Sequence, residues 1–262
     1  MPYVQSNGIR IYYQVEGDGI PLVLLHGMTG SLDDFYEYGW VKGLKDYYRL
    51  ILIDARGHGH SDKPYEVEAY SQELMVQDIV TVLEEVGIDK AHFMGFSMGG
   101  FTGFALAKYI PERMHSLVAI GTHLYTSDAS FLAEDKALWR QAFGRGMQVY
   151  LTEAIANSPY TIRTDWFINR RLANDPEALI AYIEADDGAG FEDILTSNTI
   201  PCLLYIGTED SNYEKAKRCA EELPYARIIS IPGKAHGEVF QHAIEGLTYV
   251  SQFLAEVSPG ET

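Results

Sequence analysis

Six short apolar runs, most of them closed by a glycine, recur along the chain: "PLVLLHG" (21–27), "LILID" (50–54), "AHFMG" (91–95), "LVAIG" (117–121), "CLLYIG" (202–207) and "RIISIPG" (227–233). Their apolarity is continuous rather than alternating, which is the pattern of strands buried on both faces. Helical patterns lie between them. Residues 71–86 put Met75, Ile79, Val82, Leu83 and Val86 on one face, with Ser71 as N-cap and Gly87 as terminator. Residues 238–257 read as one further amphipathic helix through Phe240, Ala243, Leu247, Val250 and Leu254. Strands that alternate with helices predict a mostly parallel sheet covered on both sides, because a parallel crossover needs a helix-length connection. Two earlier segments, "PYVQS" and "IRIYYQVE", flank an Asn-Gly pair and read as an antiparallel hairpin at one edge. The expected fold is thus α/β, with eight strands.

The alternation stops between 122 and 198, where helical pattern continues without a buried strand. Asp175-Pro176 reads as an N-cap followed by proline at the first helical position, and Thr164-Asp165 precedes "WFINRRLA" in a similar way. Phe131, Trp139, Phe143, Tyr150, Trp166 and Phe167 make the segment too aromatic for a solvated linker. The expected organisation is a core of 1–121 and 199–262 with a helical lid, 122–198, inserted in it. Of its aromatics, Trp139 and Phe143 are candidate substrate contacts.

The 262 residues carry 20 Lys and Arg against 37 Asp and Glu, a net charge of −17, and no basic block tracks a phosphate backbone. Nucleic acids and anionic membrane surfaces are poor partners for such a chain. No run approaches the roughly 18 uncharged apolar residues of a membrane span, and "MPYVQSNGIR" lacks the apolar centre of a secretory signal. A cytoplasmic location is expected. Cys202 and Cys219 lie in packing contexts, so no disulfide is expected, and Cys/His spacings for a structural zinc are absent. No metal or cofactor is called for.

"MGFSMGG" (94–100) poses the chemical question. A G-x-S-x-G spacing arises in this composition with a chance expectation of about 0.1, so the spacing alone is weak. Its context is stronger: Ser97 follows a buried strand and precedes the helical "GGFTGFALAKYI", which places it in a strand-to-helix turn at the C-terminal edge of the sheet. Gly95 and Gly99 flank a turn whose backbone crowds its neighbours.

The chain resembles the α/β-hydrolase superfamily, and within it the lidded serine esterases and lactonases. "HGMTG" is similar to that family's oxyanion turn, "DARGHGHSDKP" to the loop after its next strand and "GFSMGG" to its nucleophile elbow. "GTEDSN" is similar to its acid loop and "GKAHGEVF" to its histidine loop, all in the family's order.

A serine hydroxyl needs a base to remove its proton during attack. Of eight histidines, His26, His58 and His60 read as turn-shaping. His92 and His115 sit at strand starts away from the active edge, and His242 reads as a surface position inside the last helix. His123 follows a strand into the inserted segment and is a candidate to line the pocket. His236 stands in a glycine-flanked loop before the last helix, where the resemblance also puts the base.

The imidazole needs an anion behind it, and Glu209 and Asp210 compete after "CLLYIG"; the family pattern selects Asp210. The resemblance also implies that the backbone N–H groups of Met28 and Met98 hold the developing oxyanion, and that Asp54 and Arg56 are scaffold. Acyl transfer from a small ester or lactone to water is the expected chemistry. Arg163, Arg170 and Arg171 are the cations that could seat an anionic substrate. The alternatives are carbon–carbon hydrolysis of a dienoic acid, perhydrolysis of the haloperoxidase type, and a small-molecule receptor on the same fold.

Overall fold

The computed structural model describes residues 2–154 and 162–258. Eight strands form one sheet: β1 Tyr3–Ser6, β2 Ile9–Glu16, β3 Ile20–Leu25, β4 Tyr48–Ile53, β5 Ala91–Phe96, β6 Met114–Ile120, β7 Cys202–Gly207 and β8 Ala226–Ile231, in the order β1-β2-β4-β3-β5-β6-β7-β8. β1 pairs antiparallel with β2, and β2 with β4, while every other pairing is parallel. Asn7 and Gly8 turn the hairpin with φ of 47° and 84°, the left-handed pair that a two-residue connection demands.

Alternate strand residues enter two cores. Val23, Leu25, Phe93 and Leu117 pack on one face under α3 (Gln72–Glu85), α4 (Met98–Tyr109) and α9 (Tyr213–Glu222). Leu22, Leu24, Met94, Val118 and Ile120 pack on the other, beneath the short helices α1 (Asp33–Glu37) and α2 (Trp40–Leu44), α10 (His236–Gln241) and α11 (Ala243–Val257). Both faces of the central strands are dry, which is why β3 to β7 are mostly apolar; β1, β2 and the edge strand β8 are only partly buried.

Ser71 caps α3, its side chain accepting from Leu74 N–H, as expected. The single helix expected over 238–257 is broken. His242 stands between α10 and α11 at φ −95° and ψ 55°, and just before the break the Phe240 carbonyl accepts from the Trp40 indole N–H at 2.9 Å. His242 is therefore at a break and half-buried, not inside a helix.

Between β6 and β7 the described residues hold no strand. The segment contains α5 (Ala129–Gly144), the single turn α6 (Met147–Val149), a π-helical turn at Tyr150–Ala154, α7 (Asp165–Leu172) and α8 (Pro176–Ala185). Thr164 and Asp175 cap α7 and α8 through their side chains. Phe143, Met147, Tyr150, Phe167 and Leu179 form a small apolar cluster of their own.

Candidate active site

Ser97 sits where β5 turns into α4, at φ 50° and ψ −112°, a left-handed conformation that a non-glycine residue holds only under constraint. Its N–H donates to Ile120 O at 2.8 Å and its carbonyl accepts from Phe101 N–H at 2.9 Å. The flanking glycines leave no alternative: a Cβ on Gly95 would lie 2.3 Å from the Gly99 backbone, and one on Gly99 2.2 Å from the Leu25 carbonyl oxygen. The chain can thus bend sharply enough to lift the Ser97 side chain out of the sheet edge.

Three loops converge there. His236 opens α10 just after β8, and its Nε2 lies 3.0 Å from Ser97 Oγ. Its Nδ1 lies 2.8 Å from Asp210 Oδ2, in the loop after β7. The Asp210 side chain is fully buried and its Oδ1 accepts from Asn212 N–H at 2.9 Å. Glu209 points to solvent while its N–H donates to Lys234 O, which ties the acid loop to the histidine loop. The competition between the two neighbours is decided by direction: only the Asp210 carboxylate turns inward.

Two supports had no signal in the sequence. Asn212 Nδ2 donates to Gly121 O at 3.1 Å, which binds the end of β6 to the acid loop. Phe96 places its ring 5.0 Å from the His236 ring and stacks on Phe240 at 4.5 Å, and Phe240 in turn stacks on Trp40 at 6.1 Å. The imidazole leans on a column of rings rooted in the core.

Met98 is the first residue of α4, so its N–H has no partner within the helix. It lines a cavity of about 320 Å³ together with Ser97, His123, Tyr182 and Phe191. Met28 follows Gly27 and packs its side chain between the sheet core and the helical cluster. His123 Nδ1 accepts from Tyr125 N–H at 3.1 Å, so the ring proton resides on Nε2, and burial pushes its pKa down to about 4.

The other two aromatic candidates lie elsewhere. Phe143 is fully buried in the cluster between β6 and β7, and Trp139 lines a separate groove with Leu138, Arg145 and Val149. Helical packing among themselves, not the Ser97 cavity, occupies these rings. Arg170 and Arg171 do not line the Ser97 cavity: Arg170 donates to Ser31 Oγ and Gly30 O, and Arg171 pairs with buried Asp34 at 2.8 Å. Among the described lining residues the one lysine is Lys108, whose Nζ is 2.8 Å from Asp193, whereas Glu73, Asp186 and Asp187 line the same cavity.

Asp54 and Arg56 are structural. Asp54 accepts from Leu32 and His60 N–H, and Arg56 makes a bidentate pair with buried Asp78. His26 donates from Nδ1 to Gly27 O and accepts at Nε2 from Ala55 N–H, so burial drives its pKa to about 3. His92, held between Ser116 and Ser258, is pushed down to about 4 for the same reason.

A histidine whose folded pKa lies below its unfolded value stabilises the fold fully above about pH 6.5, and that contribution is lost as pH falls toward the folded value. Between pH 7.5 and 5, wild type is therefore expected to lose about 2 kcal/mol more unfolding free energy than His92→Asn. Urea titrations at the two pH values measure this, and equal losses would refute it.

Among the described residues no group of three or more His, Cys, Asp or Glu could hold a metal, and no helix is long and apolar enough to cross a membrane. Cys202 and Cys219 are buried free thiols, both pushed up to about 12 by burial.

A parallel sheet with an antiparallel edge, a strained serine at one strand-to-helix turn and an Asp–His pair behind it define a hydrolase-type scaffold. The family described as alpha/beta hydrolase fold matches residues 20–158, and the chain belongs to that family. It is 33% identical over 281 aligned positions, 96% of this chain and 97% of the other, to a Bacillus subtilis (strain 168) protein assigned as a 2-succinyl-6-hydroxy-2,4-cyclohexadiene-1-carboxylate synthase. It is 28% identical to the pimeloyl-[acyl-carrier protein] methyl ester esterase of Aeromonas hydrophila, over 91% and 96% of the two chains. The crystal structure of an enol-lactonase from Burkholderia xenovorans LB400 has the same fold, with a TM-score of 0.83 at 24% identity over 97% and 100% of the chains. Epoxide hydrolases also match, with the aligned segment spanning 21% to 39% of their length.

Proposed function

We propose that this protein hydrolyses small carboxylic esters or lactones through an acyl-enzyme on Ser97. The observation that carries the reading is the unbroken hydrogen-bonded chain from Ser97 Oγ through His236 to Asp210. In the first step His236 Nε2 takes the hydroxyl proton as Oγ attacks the carbonyl carbon, while Asp210 holds Nδ1–H and stabilises the imidazolium. The N–H groups of Met98 and Met28 receive the oxyanion. His236 then protonates the leaving alkoxide, and in the second step it activates the water that releases the acid. Residues 122–198 act as the lid of this site, with 1–121 and 199–262 as the hydrolase core.

The lining supports an uncharged substrate. Glu73, Asp186 and Asp187 repel an anionic acyl group, and Lys108 is already paired with Asp193. His123 offers a neutral N–H donor beside Ser97, suited to a carbonyl or ether oxygen of the substrate. The epoxide hydrolases among the relatives are the less apt guide, since the aligned segment spans only 21% to 39% of their length. The synthase relative favours a second reading, chemistry on a carboxylate-bearing carbon skeleton, but among the described lining residues the one lysine, Lys108, is paired with Asp193.

A panel of p-nitrophenyl esters of rising chain length, lactones and a dienoic acid separates these readings. A neutral short acyl ester should exceed its carboxylate-terminated analogue by about 100-fold in kcat/KM. His123→Phe should lower kcat/KM by about fivefold for an alkoxyacyl ester and leave the butyrate nearly unchanged. Turnover of the dienoic acid alone would reverse the assignment.

A further inference from the structure

We infer that the C-terminal end of α7 is a clamp that sets the oxyanion turn, so that Arg170 and Asn174 are positioning residues for the acyl-transfer step. The inference rests on the esterase reading, because it concerns the donor at Met28. That N–H belongs to a tight turn closed by Gly30 N–H donating to Gly27 O at 3.0 Å. The turn's third residue, Thr29, is left-handed at φ 66° although it carries a β-branched side chain, a conformation that surrounding contacts must impose.

The core provides the rear support: His26 donates to Gly27 O and accepts from Ala55 N–H, and Asp54 accepts from Leu32 N–H. The front support comes from a different part of the chain. Asn174 Nδ2 donates to Thr29 O at 2.8 Å, Arg170 Nη2 to Gly30 O at 3.0 Å and Arg170 Nε to Ser31 Oγ at 2.6 Å. Next along, Arg171 grips Asp34 with two hydrogen bonds at 2.8 and 3.2 Å.

Three consecutive residues of the turn are therefore held by two side chains from the lid, and all three are buried. An exposed surface contact would be worth little, but here each carbonyl loses its donor with no water to replace it. Burial lowers the Arg170 pKa, an effect that the charges of Asp34 and Asp54 oppose. The consequence is a division of labour. Ser97 and Met98 are fixed by the β5–α4 elbow, whereas the turn that carries the second oxyanion donor is held from behind by the core and from the front by α7. Lid seating and transition-state stabilisation are one event in this architecture, and a displacement of the turn by about 1 Å costs on the order of 100-fold in rate.

The test uses full-length Arg170→Gln and Asn174→Ala, with Arg140→Gln, which breaks an exposed pair with Glu184, as a control. For a neutral p-nitrophenyl ester, each clamp variant should lower kcat by about 10- to 100-fold with KM within about threefold. An alkyl boronic acid, whose tetrahedral Ser97 adduct needs the oxyanion donors, should lose affinity by the same factor. Arg170→Lys, which keeps a donor for Gly30 O, should recover most of the loss. Folding is followed by circular dichroism and Tm, and Asn174→Ala, which removes no charge, carries the test if Arg170→Gln does not fold. Unchanged kcat in either folded variant, a rise in KM alone, or unchanged boronate affinity overturns the clamp. Activity that survives Ser97→Ala overturns the esterase reading instead, so the two failures are distinct.

Discussion

Replacing Ser97 with alanine is expected to lower kcat for p-nitrophenyl ester hydrolysis by about 10⁴- to 10⁶-fold, leaving only what oxyanion donors and binding supply. The substitution removes a partly exposed hydroxyl and keeps the Cβ, so the strained turn, already held by the Ile120 and Phe101 hydrogen bonds, should persist. Wild type should react with a fluorophosphonate probe at Ser97, and the variant should not. Retention of most activity by Ser97→Ala would eliminate the serine as nucleophile. A wild-type serine that resists the probe while the protein binds a ligand tightly would favour a receptor on the same fold.

Asp210→Asn tests the other end of the chain of hydrogen bonds. Asp210 Oδ1 accepts from Asn212 N–H and Oδ2 accepts from His236 Nδ1–H. An asparagine that keeps its oxygen toward Asn212 presents an NH₂ to His236, and the ring then carries its proton on Nε2, the nitrogen that must accept from Ser97. The wrong tautomer is expected to lower kcat by about 10⁴-fold with little change in KM. Glu209→Gln, one residue away but solvent-facing, should leave kcat within a factor of two. Equal effects of the two substitutions would show that the carboxylate does not orient the imidazole.

Much of this arrangement was legible because the elements that carry it are governed by local rules. A strand buried on both faces is apolar at most positions, so β3 to β7 announced themselves, and the Asn-Gly hairpin was specified by its left-handed turn. Ser97 directly follows β5, while Asp210 and His236 stand in the connections that leave β7 and β8, and the parallel topology brings such positions to one edge.

What stayed hidden depended on contacts between distant segments. Trp139 and Phe143 read as pocket residues because they are aromatic, but only tertiary packing decides whether a ring faces a cavity or its own helical neighbours. Arg170 and Arg171 read as free cations, and nothing local signals that Ser31 and Asp34 take them. The break at His242 is not signalled by helical periodicity, and beside it the Phe240 carbonyl takes a hydrogen bond from Trp40, 200 positions earlier.

The ring column from Trp40 through Phe240 and Phe96 to His236 has a further consequence. A base carried on a surface loop would ordinarily inherit that loop's tolerance of sequence drift and its sensitivity to heat. Here part of its bearing surface is interior, so the alignment of the imidazole is tied to the packed rings of Phe96 and Phe240 as well as to its own loop.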